Sequence, residues 1–227
     1  YLTGNQTRTT FSLFAGIVPD SLRPAFLKYL EKDMREVHPW FDFGSTSRYQ
    51  YFKVLLEHPL FHEIISDILS KTNYPSYGYF LELGETAWPE KWEKNHPSRI
   101  HTTYTGISAW FIKGLAGIET TAENPGYRTV TIRPNVIRKL EYAKAAVESP
   151  YGLIESGWRK ENGKVIYEIT LPAGSDANIY LPTTATSVTE NGKPLAQSKG
   201  VKINEEKDGY LLIHAVSGKY KFEVTGG

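Results

Sequence analysis

The stretch Leu83-Gly84-Glu85-Thr86-Ala87-Trp88-Pro89-Glu90-Lys91-Trp92-Glu93 sets three carboxylates among two tryptophans, a proline and a glycine. A carboxylate beside an indole ring suits a sugar site, because the acid moves protons while the flat ring stacks on the apolar face of a pyranose. Such groups usually lie on loops that a rigid scaffold holds in place. The alternative is a surface loop with solvated glutamates over packed tryptophans, so the rest of the chain has to decide.

The composition excludes several classes of protein. With 227 residues the chain suits one large domain or two modest ones and can bury a core. Its 26 basic and 25 acidic side chains nearly balance, which argues against binding to nucleic acid or an anionic membrane. It has no cysteine, which excludes disulfides and thiolate metal sites, and no apolar run of the roughly 18 residues that a membrane span needs. Because the chain starts at Tyr1 rather than Met, we expect it to be an excised or processed piece.

Before about residue 120 the apolar residues recur at helical spacing. The most regular stripe consists of Phe61, Ile64, Ile65, Ile68 and Leu69. Four further helices are predicted. The first contains Phe11, Phe14, Ile17 and Val18 and ends before Pro19, and the second contains Leu22, Phe26, Leu30 and Met34. The third contains Tyr51, Phe52, Leu55 and Leu56, and the last covers 102–115. Short connections between them favour packing as antiparallel hairpins.

After about residue 120 the apolar residues alternate, and turn residues arrive at regular intervals. Asn162-Gly163 and Asn191-Gly192 are strong signals for hairpin turns. The predicted strands are 128–132, 164–171, 177–181, 210–213 and 220–224. The pattern predicts a helical part followed by an antiparallel β-sandwich, with domains at 1–120 and 121–227 and a boundary near 119–124.

Short motifs spread over almost the whole chain resemble one family in their order and spacing. They are Thr3-Gly4-Asn5-Gln6-Thr7, Gly16-Ile17-Val18-Pro19, 38–46, Tyr74-Pro75-Ser76-Tyr77-Gly78, 84–92, Asn124-Pro125-Gly126-Tyr127, Ile132-Arg133-Pro134, Ser149-Pro150-Tyr151-Gly152 and Tyr180-Leu181-Pro182. The chain resembles the C-terminal portion of family 78 glycoside hydrolases, the bacterial α-L-rhamnosidases. The resemblance implies the later helices of an (α/α)6 catalytic barrel, followed by a C-terminal β-sandwich.

The resemblance also implies inverting hydrolysis of terminal α-L-rhamnosides. Inversion needs two carboxyl groups about 6.5–9.5 Å apart, one to protonate the leaving oxygen and one to activate water. Glu90 matches the family's general base, and Glu85, where the family usually has a small residue, is the second candidate. The family's general acid lies well before these helices, so we expect it outside this chain, on the missing N-terminal portion of the same enzyme. We expect no cofactor and no metal ligand in this chain, while a calcium ion with ligands on the missing portion stays open. We expect a periplasmic or secreted location rather than a cytoplasmic one.

Candidate substrate contacts follow from the same resemblance. His101 matches the family's substrate-binding histidine, and a neutral imidazole can hydrogen-bond a sugar hydroxyl. Trp88, Trp92 and Trp40 are candidate walls of the sugar site. Arg99 is a candidate for reading a uronate carboxylate. Each has a structural alternative, namely core packing for the tryptophans, a role at a helix start for His101 and simple solvent exposure for Arg99.

Besides Glu85, three places depart from the family pattern. Pro89 stands where the family commonly has Trp, Arg99-Ile100 replaces polar residues, and Ala109 replaces a common acid. These departures leave the scaffold prediction unchanged. They open the specificity to a related terminal sugar, or to rhamnose within an acidic polysaccharide.

Two other functions stay open at the level of sequence. A polysaccharide lyase on a similar helical toroid would use His or Tyr as its base and release an unsaturated product that absorbs ultraviolet light. A carbohydrate-binding remnant would bind sugar without turnover. The chain has no Gly-rich phosphate loop and no Gly-x-Ser-x-Gly elbow, and no glutamate stands between His58 and His62 as a zinc-protease motif requires.

Overall fold

The computed structural model of the chain describes residues 5–182 and 187–226. The chain forms two compact units, Tyr1–Trp110 and Phe111–Gly227. The first unit is helical, and the second is built mainly from β-strands.

The division between the units falls before the sequence-based boundary at 119–124. The indole N–H of Trp158 donates to the carbonyl of Leu115 at 3.0 Å, and the hydroxyl of Ser156 donates to the carbonyl of Ala116 at 2.6 Å. Because strand residues of the β-unit satisfy these carbonyls, the end of the last helical segment belongs to that unit.

α-Helices form the first unit. They are α1 (Gln6–Phe14), α2 (Arg23–Lys32), α3 (Arg48–Glu57), α4 (Leu60–Leu69) and α5 (Tyr77–Glu82). Asn5 caps α1 by accepting a hydrogen bond from the N–H of Arg8 at 3.1 Å, and Ser76 caps α5 by accepting one from Tyr79 at 3.0 Å.

Shorter 3₁₀ and π turns complete the unit. They are Asp20–Leu22, Asp33–Val37, Ser45–Ser47 and Thr103–Ile107, and the π turn Trp110–Leu115 leads from this unit into the second. The single helix predicted over 102–115 is therefore wrong in detail, because a 3₁₀ turn and a π turn replace regular α-helix over most of it.

The predicted apolar stripe of α4 is confirmed for four of its five members. Phe61, Ile64, Ile65 and Ile68 are each at most 2% exposed, whereas Leu69 is half-buried. Helix α1 behaves differently, because Phe11 and Phe14 are 49% and 42% exposed while Gln6 and Thr10 are fully buried. The inward face of α1 is thus partly polar, and its buried groups are satisfied by hydrogen bonds.

A cluster of aromatic rings fills the centre of the helical unit. Its members are Phe41, Phe43, Tyr51, Phe52, Tyr77 and Tyr104, each at most 6% exposed. Most pairs meet edge to face, as with Phe41 and Tyr51 at 6.2 Å between centroids, which is the geometry that ring quadrupoles favour. Burial raises the pKa of Tyr51 and Tyr77 well above the usual range of a phenol.

The second unit contains two sheets. The strands are β1 (Ile118–Glu119), β2 (Thr129–Ile132), β3 (Tyr142–Ser149), β4 (Gly152–Glu161), β5 (Lys164–Leu171), β6 (Asp176–Pro182), β7 (Ser187–Glu190), β8 (Lys193–Pro194), β9 (Val201–Lys207), β10 (Tyr210–Ala215) and β11 (Gly218–Thr225). The strand orders are β1-β2-β6-β10-β9 and β3-β4-β5-β11-β7-β8. Over the described strands the pairing is antiparallel, as predicted, apart from the parallel contact of β2 with β6.

Two hairpin turns were predicted correctly from their dipeptides. Asn162 and Gly163 have φ of 51° and 74°, and Asn191 and Gly192 have φ of 48° and 76°. Positive φ at both central residues matches the right-handed twist of the flanking strands. The first turn joins β4 to β5, and the second joins β7 to β8.

Candidate active site

Residues 83–102, which we name the Trp–Glu loop, run from the end of α5 to the following 3₁₀ turn without helix or strand. The N–H of Glu90 donates to the carbonyl of Ser98 at 2.9 Å. The N–H of His101 donates to the carbonyl of Trp88 at 2.8 Å. These bonds place Glu90 and His101 on facing arms of one loop.

The end of α5 determines how the Trp–Glu loop begins. The N–H of Gly84 donates to Leu81 at 2.9 Å and that of Glu85 to Phe80 at 3.0 Å, which is the Schellman pattern of a helix C-terminus. Gly84 adopts φ of +77°, a conformation that glycine accepts without strain. The first residues of the loop are therefore held by the helix itself.

Trp92 anchors the tip of the Trp–Glu loop in the aromatic cluster. Its indole N–H donates to the carbonyl of Phe41 at 3.0 Å, and its ring stacks on Tyr104 with centroids 3.8 Å apart. Only 9% of Trp92 is exposed. The expected role of Trp92 as a wall of the sugar site is therefore not supported, because Tyr104 already covers a face of the ring.

The other candidate tryptophans are half-buried. Trp88 and Tyr77 meet edge to face, with ring centroids 4.9 Å apart. Trp40 meets His38 edge to face at 5.3 Å. Both remain candidates for stacking on a sugar.

The neighbouring segment 38–42, which carries Trp40, lacks regular structure and is held by side chains. Each of its five carbonyls accepts a bond from a side chain. The donors are Gln6 to His38 (2.8 Å) and Trp40 (3.0 Å), Lys71 to Pro39 (2.6 Å), Trp92 to Phe41 (3.0 Å) and Thr7 to Asp42 (3.0 Å). Satisfying every carbonyl gives this segment one conformation, and Trp92 ties it to the Trp–Glu loop.

Thr103, two residues further along the chain, orients the ring of His101. Its Nδ1 accepts a hydrogen bond from the backbone N–H of Thr103 at 3.1 Å and lies 2.6 Å from the Thr103 hydroxyl. The bonding pattern assigns Nδ1 as acceptor, so the neutral ring carries its proton on Nε2. Thr103 is 1% exposed and is itself fixed by packing. His101 can therefore offer Nε2–H as a donor to a sugar oxygen.

Glu85 and Arg99 form an ion pair across the two arms of the Trp–Glu loop. The Glu85 side chain is 24% exposed and that of Arg99 is 53% exposed. Both positions depart from the family pattern, and here they are partners. A guanidinium occupies Oε1 of Glu85, which argues against Glu85 as the residue that activates water.

Glu90 differs from Glu85 in its surroundings. It is half-buried, and no described side chain bonds its carboxylate, whereas its backbone N–H is held by Ser98. The main chain at Glu90 is thus fixed while the carboxylate can accept a proton from a bound water.

Among the described residues, no group of three or more His, Asp or Glu side chains is placed to hold a metal ion. The Nδ1 of His62 accepts the indole N–H of Trp110 at 3.1 Å in the core, and burial lowers the pKa of His58.

Across the described residues, no helix is both long and apolar enough to cross a membrane.

Several residues that shape the site were not found from the sequence. Gln6, Lys71 and Thr103 act through hydrogen bonds to distant or neighbouring groups, and nothing in a local pattern marks such bonds. Arg48 bonds the carbonyl of Thr102 through Nη1.

Helical hairpins with a carboxylate and indole loop, followed by a two-sheet β-unit, define a glycoside hydrolase scaffold with an appended β-domain. Residues 1–115 match the model of the bacterial alpha-L-rhamnosidase 6 hairpin glycosidase domain, and residues 117–195 match the bacterial alpha-L-rhamnosidase C-terminal domain. The chain belongs to the bacterial α-L-rhamnosidase family.

Individual relatives agree with this assignment. An alpha-L-rhamnosidase of Formosa agariphila is 28% identical over 224 residues, which cover 96% of this chain and 23% of the relative. The structure of alpha-L-rhamnosidase from Dictyoglumus thermophilum superposes with a TM-score of 0.86 at 28% identity, over 98% of this chain and 25% of that one. The Streptomyces avermitilis alpha-L-rhamnosidase complexed with L-rhamnose shares the fold, with a TM-score of 0.81 at 22% identity over 97% of this chain and 21% of that one.

The chain spans about a quarter of the length of these relatives. The family is therefore established for this chain, while the activity of the whole protein is a matter for proposal and experiment.

Proposed function

We propose that the protein containing this chain hydrolyses terminal α-L-rhamnosides with inversion at the anomeric carbon, and that Glu90 is the general base. The observation that carries the proposal is the register of the Trp–Glu loop, which places Glu90 and His101 on facing arms. Membership of the α-L-rhamnosidase family supplies the reaction class.

The proposed mechanism gives each group one role. Glu90 takes a proton from water as that water attacks the anomeric carbon, and a carboxylic acid outside this chain protonates the leaving oxygen on the opposite face. His101 donates Nε2–H to a sugar hydroxyl and so orients the ring. Trp88, half-buried at the base of the loop, supplies an apolar surface for the sugar.

The substrate proposed is a carbohydrate with a terminal rhamnose or a closely related sugar. Because Arg99 already bonds Glu85, the use of Arg99 to read a uronate carboxylate would rely on its remaining N–H groups. We therefore place recognition of the terminal sugar, rather than of an acidic neighbour, on this chain.

The test is sugar release by the complete protein from an aryl α-L-rhamnoside, compared with Glu90→Gln. The amide cannot accept the proton of water, so we expect the rate to fall by roughly 10² or more. Proton NMR of the first product should show β-L-rhamnose if the reaction inverts. Glu93→Gln is the matched control, because Glu93 is an exposed carboxylate on the same loop, and its rate should stay within about twofold of the parent.

Three outcomes would overturn the assignment. Rhamnose release that survives Glu90→Gln would remove Glu90 as the base. An unsaturated product absorbing ultraviolet light would favour a lyase, and sugar binding without turnover by the parent would favour a non-catalytic remnant.

A further inference from the structure

The Trp–Glu loop is held at its start, at its tip and at its end. The Schellman bonds of α5 hold the start, and the indole of Trp92 holds the tip through the carbonyl of Phe41. At the end, the guanidinium of Arg48 bonds the carbonyl of Thr102. Between these places the returning arm, residues 93–101, has no helix or strand to fix it.

Arg99 lies on this returning arm, and its partner Glu85 lies at the fixed start of the loop. The ion pair therefore connects a stationary part of the backbone to the arm that faces it. Ser98, next to Arg99, supplies the carbonyl that accepts the N–H of Glu90, and His101 lies two positions after Arg99. Any shift of the arm at Arg99 would move both contacts.

We infer that the Glu85–Arg99 ion pair is a positioning contact, which holds the returning arm against the start of the loop and so sets the separation of Glu90 from His101. The inference depends on the proposed function for the roles of Glu90 and His101. In this role the ion pair acts through the backbone of the loop rather than through a contact with the sugar or the attacking water.

Partial burial makes this role physically reasonable. The Glu85 side chain is 24% exposed, so the carboxylate is sheltered, while Arg99 at 53% approaches from the solvent side. Solvent and salt screen a partly buried ion pair less than a fully exposed one. Such a pair still shifts the equilibrium between the closed and the open loop by no more than a few-fold. The expected effects are accordingly modest and have to be read against matched controls.

The kinetic test uses the complete protein and variants of both partners. We expect Glu85→Gln and Arg99→Gln each to lower kcat about two- to fivefold with little change in KM, because the groups are misplaced rather than lost. Arg99→Lys, which keeps the charge for this single contact, should stay close to the parent. The charge exchange Glu85→Arg with Arg99→Glu should recover most of the loss.

A second readout does not depend on catalysis. Lys91 and Lys94 are exposed residues on the loop, so limited trypsin cleavage after them reports how often the loop opens. Cleavage should accelerate about two- to fivefold in the two glutamine variants and return towards the parent rate in the charge exchange.

Arg35→Gln is the control for the loss of an ion pair elsewhere. Arg35 pairs with Glu31 at 3.0 Å on the helical unit, with side-chain exposures of 41% and 30% that resemble those of the pair in the loop. This variant should change neither kcat nor cleavage at the loop.

Each alternative result has a definite meaning. Unchanged cleavage in all variants, or a charge exchange as slow as the single variants, would refute the positioning role. A loss of more than about 10² with Glu85→Gln at unchanged cleavage would instead make Glu85 a catalytic residue. If the parent releases no rhamnose, the proposed function fails, and the cleavage rates still decide the role of the ion pair.

Discussion

Thr103 and His101 illustrate how a single residue can define a functional group. The hydroxyl and the N–H of Thr103 both approach Nδ1 of His101, so the ring has one preferred tautomer and one donor left. Thr103 is buried and has no direct route to a sugar, which makes it a positioning residue.

Thr103→Val tests whether the hydroxyl of Thr103 orients the ring of His101. Valine keeps the shape of threonine and removes the hydroxyl, while the backbone N–H bond to His101 remains. We expect kcat/KM to fall about fivefold, the value of one neutral hydrogen bond of about 1 kcal/mol. The ¹⁵N shifts of the imidazole should show a larger share of the Nδ1–H tautomer.

Thr103→Ser keeps the hydroxyl and serves as the control. Its imidazole shifts should match those of the parent. If valine leaves both the shifts and kcat/KM unchanged, the hydroxyl has no part in orienting His101.

At the scale of an element, the start of helix α3 is fitted closely to the turn that follows the Trp–Glu loop. Gly106 lies in the 3₁₀ turn Thr103–Ile107, against Arg48 and Phe52 of α3. A Cβ at this position would lie 2.5 Å from Cγ of Arg48 and 2.8 Å from Cδ2 of Phe52. The absence of a side chain therefore lets Arg48 reach the carbonyl of Thr102.

Gly106→Ala should destabilise the protein by about 1–3 kcal/mol, because the added methyl group overpacks a close contact. The measurement is the shift of the urea midpoint. Gly44→Ala is the control, since Gly44 has φ of −93° and nothing within 4 Å of the added Cβ. Equal midpoints for the two variants would show that the contact at Gly106 relaxes without cost.

At the scale of the whole molecule, the helical unit depends on phenols that stay protonated. Burial is the main cause that raises the pKa of Tyr51, Tyr77 and Tyr104. Unfolding returns each to the ordinary value near 10. The free energy of unfolding is therefore unaffected by these phenols below a pH of about 10. It falls as the pH rises further, because the unfolded chain then releases protons that the folded chain keeps.

The alkaline loss should be about 1.4 kcal/mol per phenol on reaching a pH of about 11. Tyr104→Phe removes one of these phenols and leaves the Tyr104 carbonyl that accepts the Tyr77 hydroxyl. Urea unfolding at pH of about 8 and about 11 should thus show a smaller alkaline loss for the variant, by about that amount. The same loss in parent and variant would mean that Tyr104 ionises in the folded protein.

Local pattern was sufficient for much of the fold. The stripe of α4 is visible in the sequence because a buried helical face repeats its apolar residues every three to four positions. The turn at Asn162-Gly163 is visible because few other dipeptides accept positive φ twice in succession. The inward face of α1 was not visible, since Gln6 and Thr10 are polar. Gln6 is satisfied by the distant hydroxyl of Tyr51, and Thr10 by the carbonyl of Gln6 in its own helix.

The sequence by itself determined the order of a helical and a β-unit, the hairpin turns and the loop on which the candidate base Glu90 lies. Tertiary structure decided which of the predicted residues remain free to act. Trp92 is committed to Tyr104 and the carbonyl of Phe41, and Glu85 is committed to Arg99. The physical reason is that periodicity and turn chemistry are local, whereas a stacked ring or an ion pair depends on which distant groups the fold brings within reach.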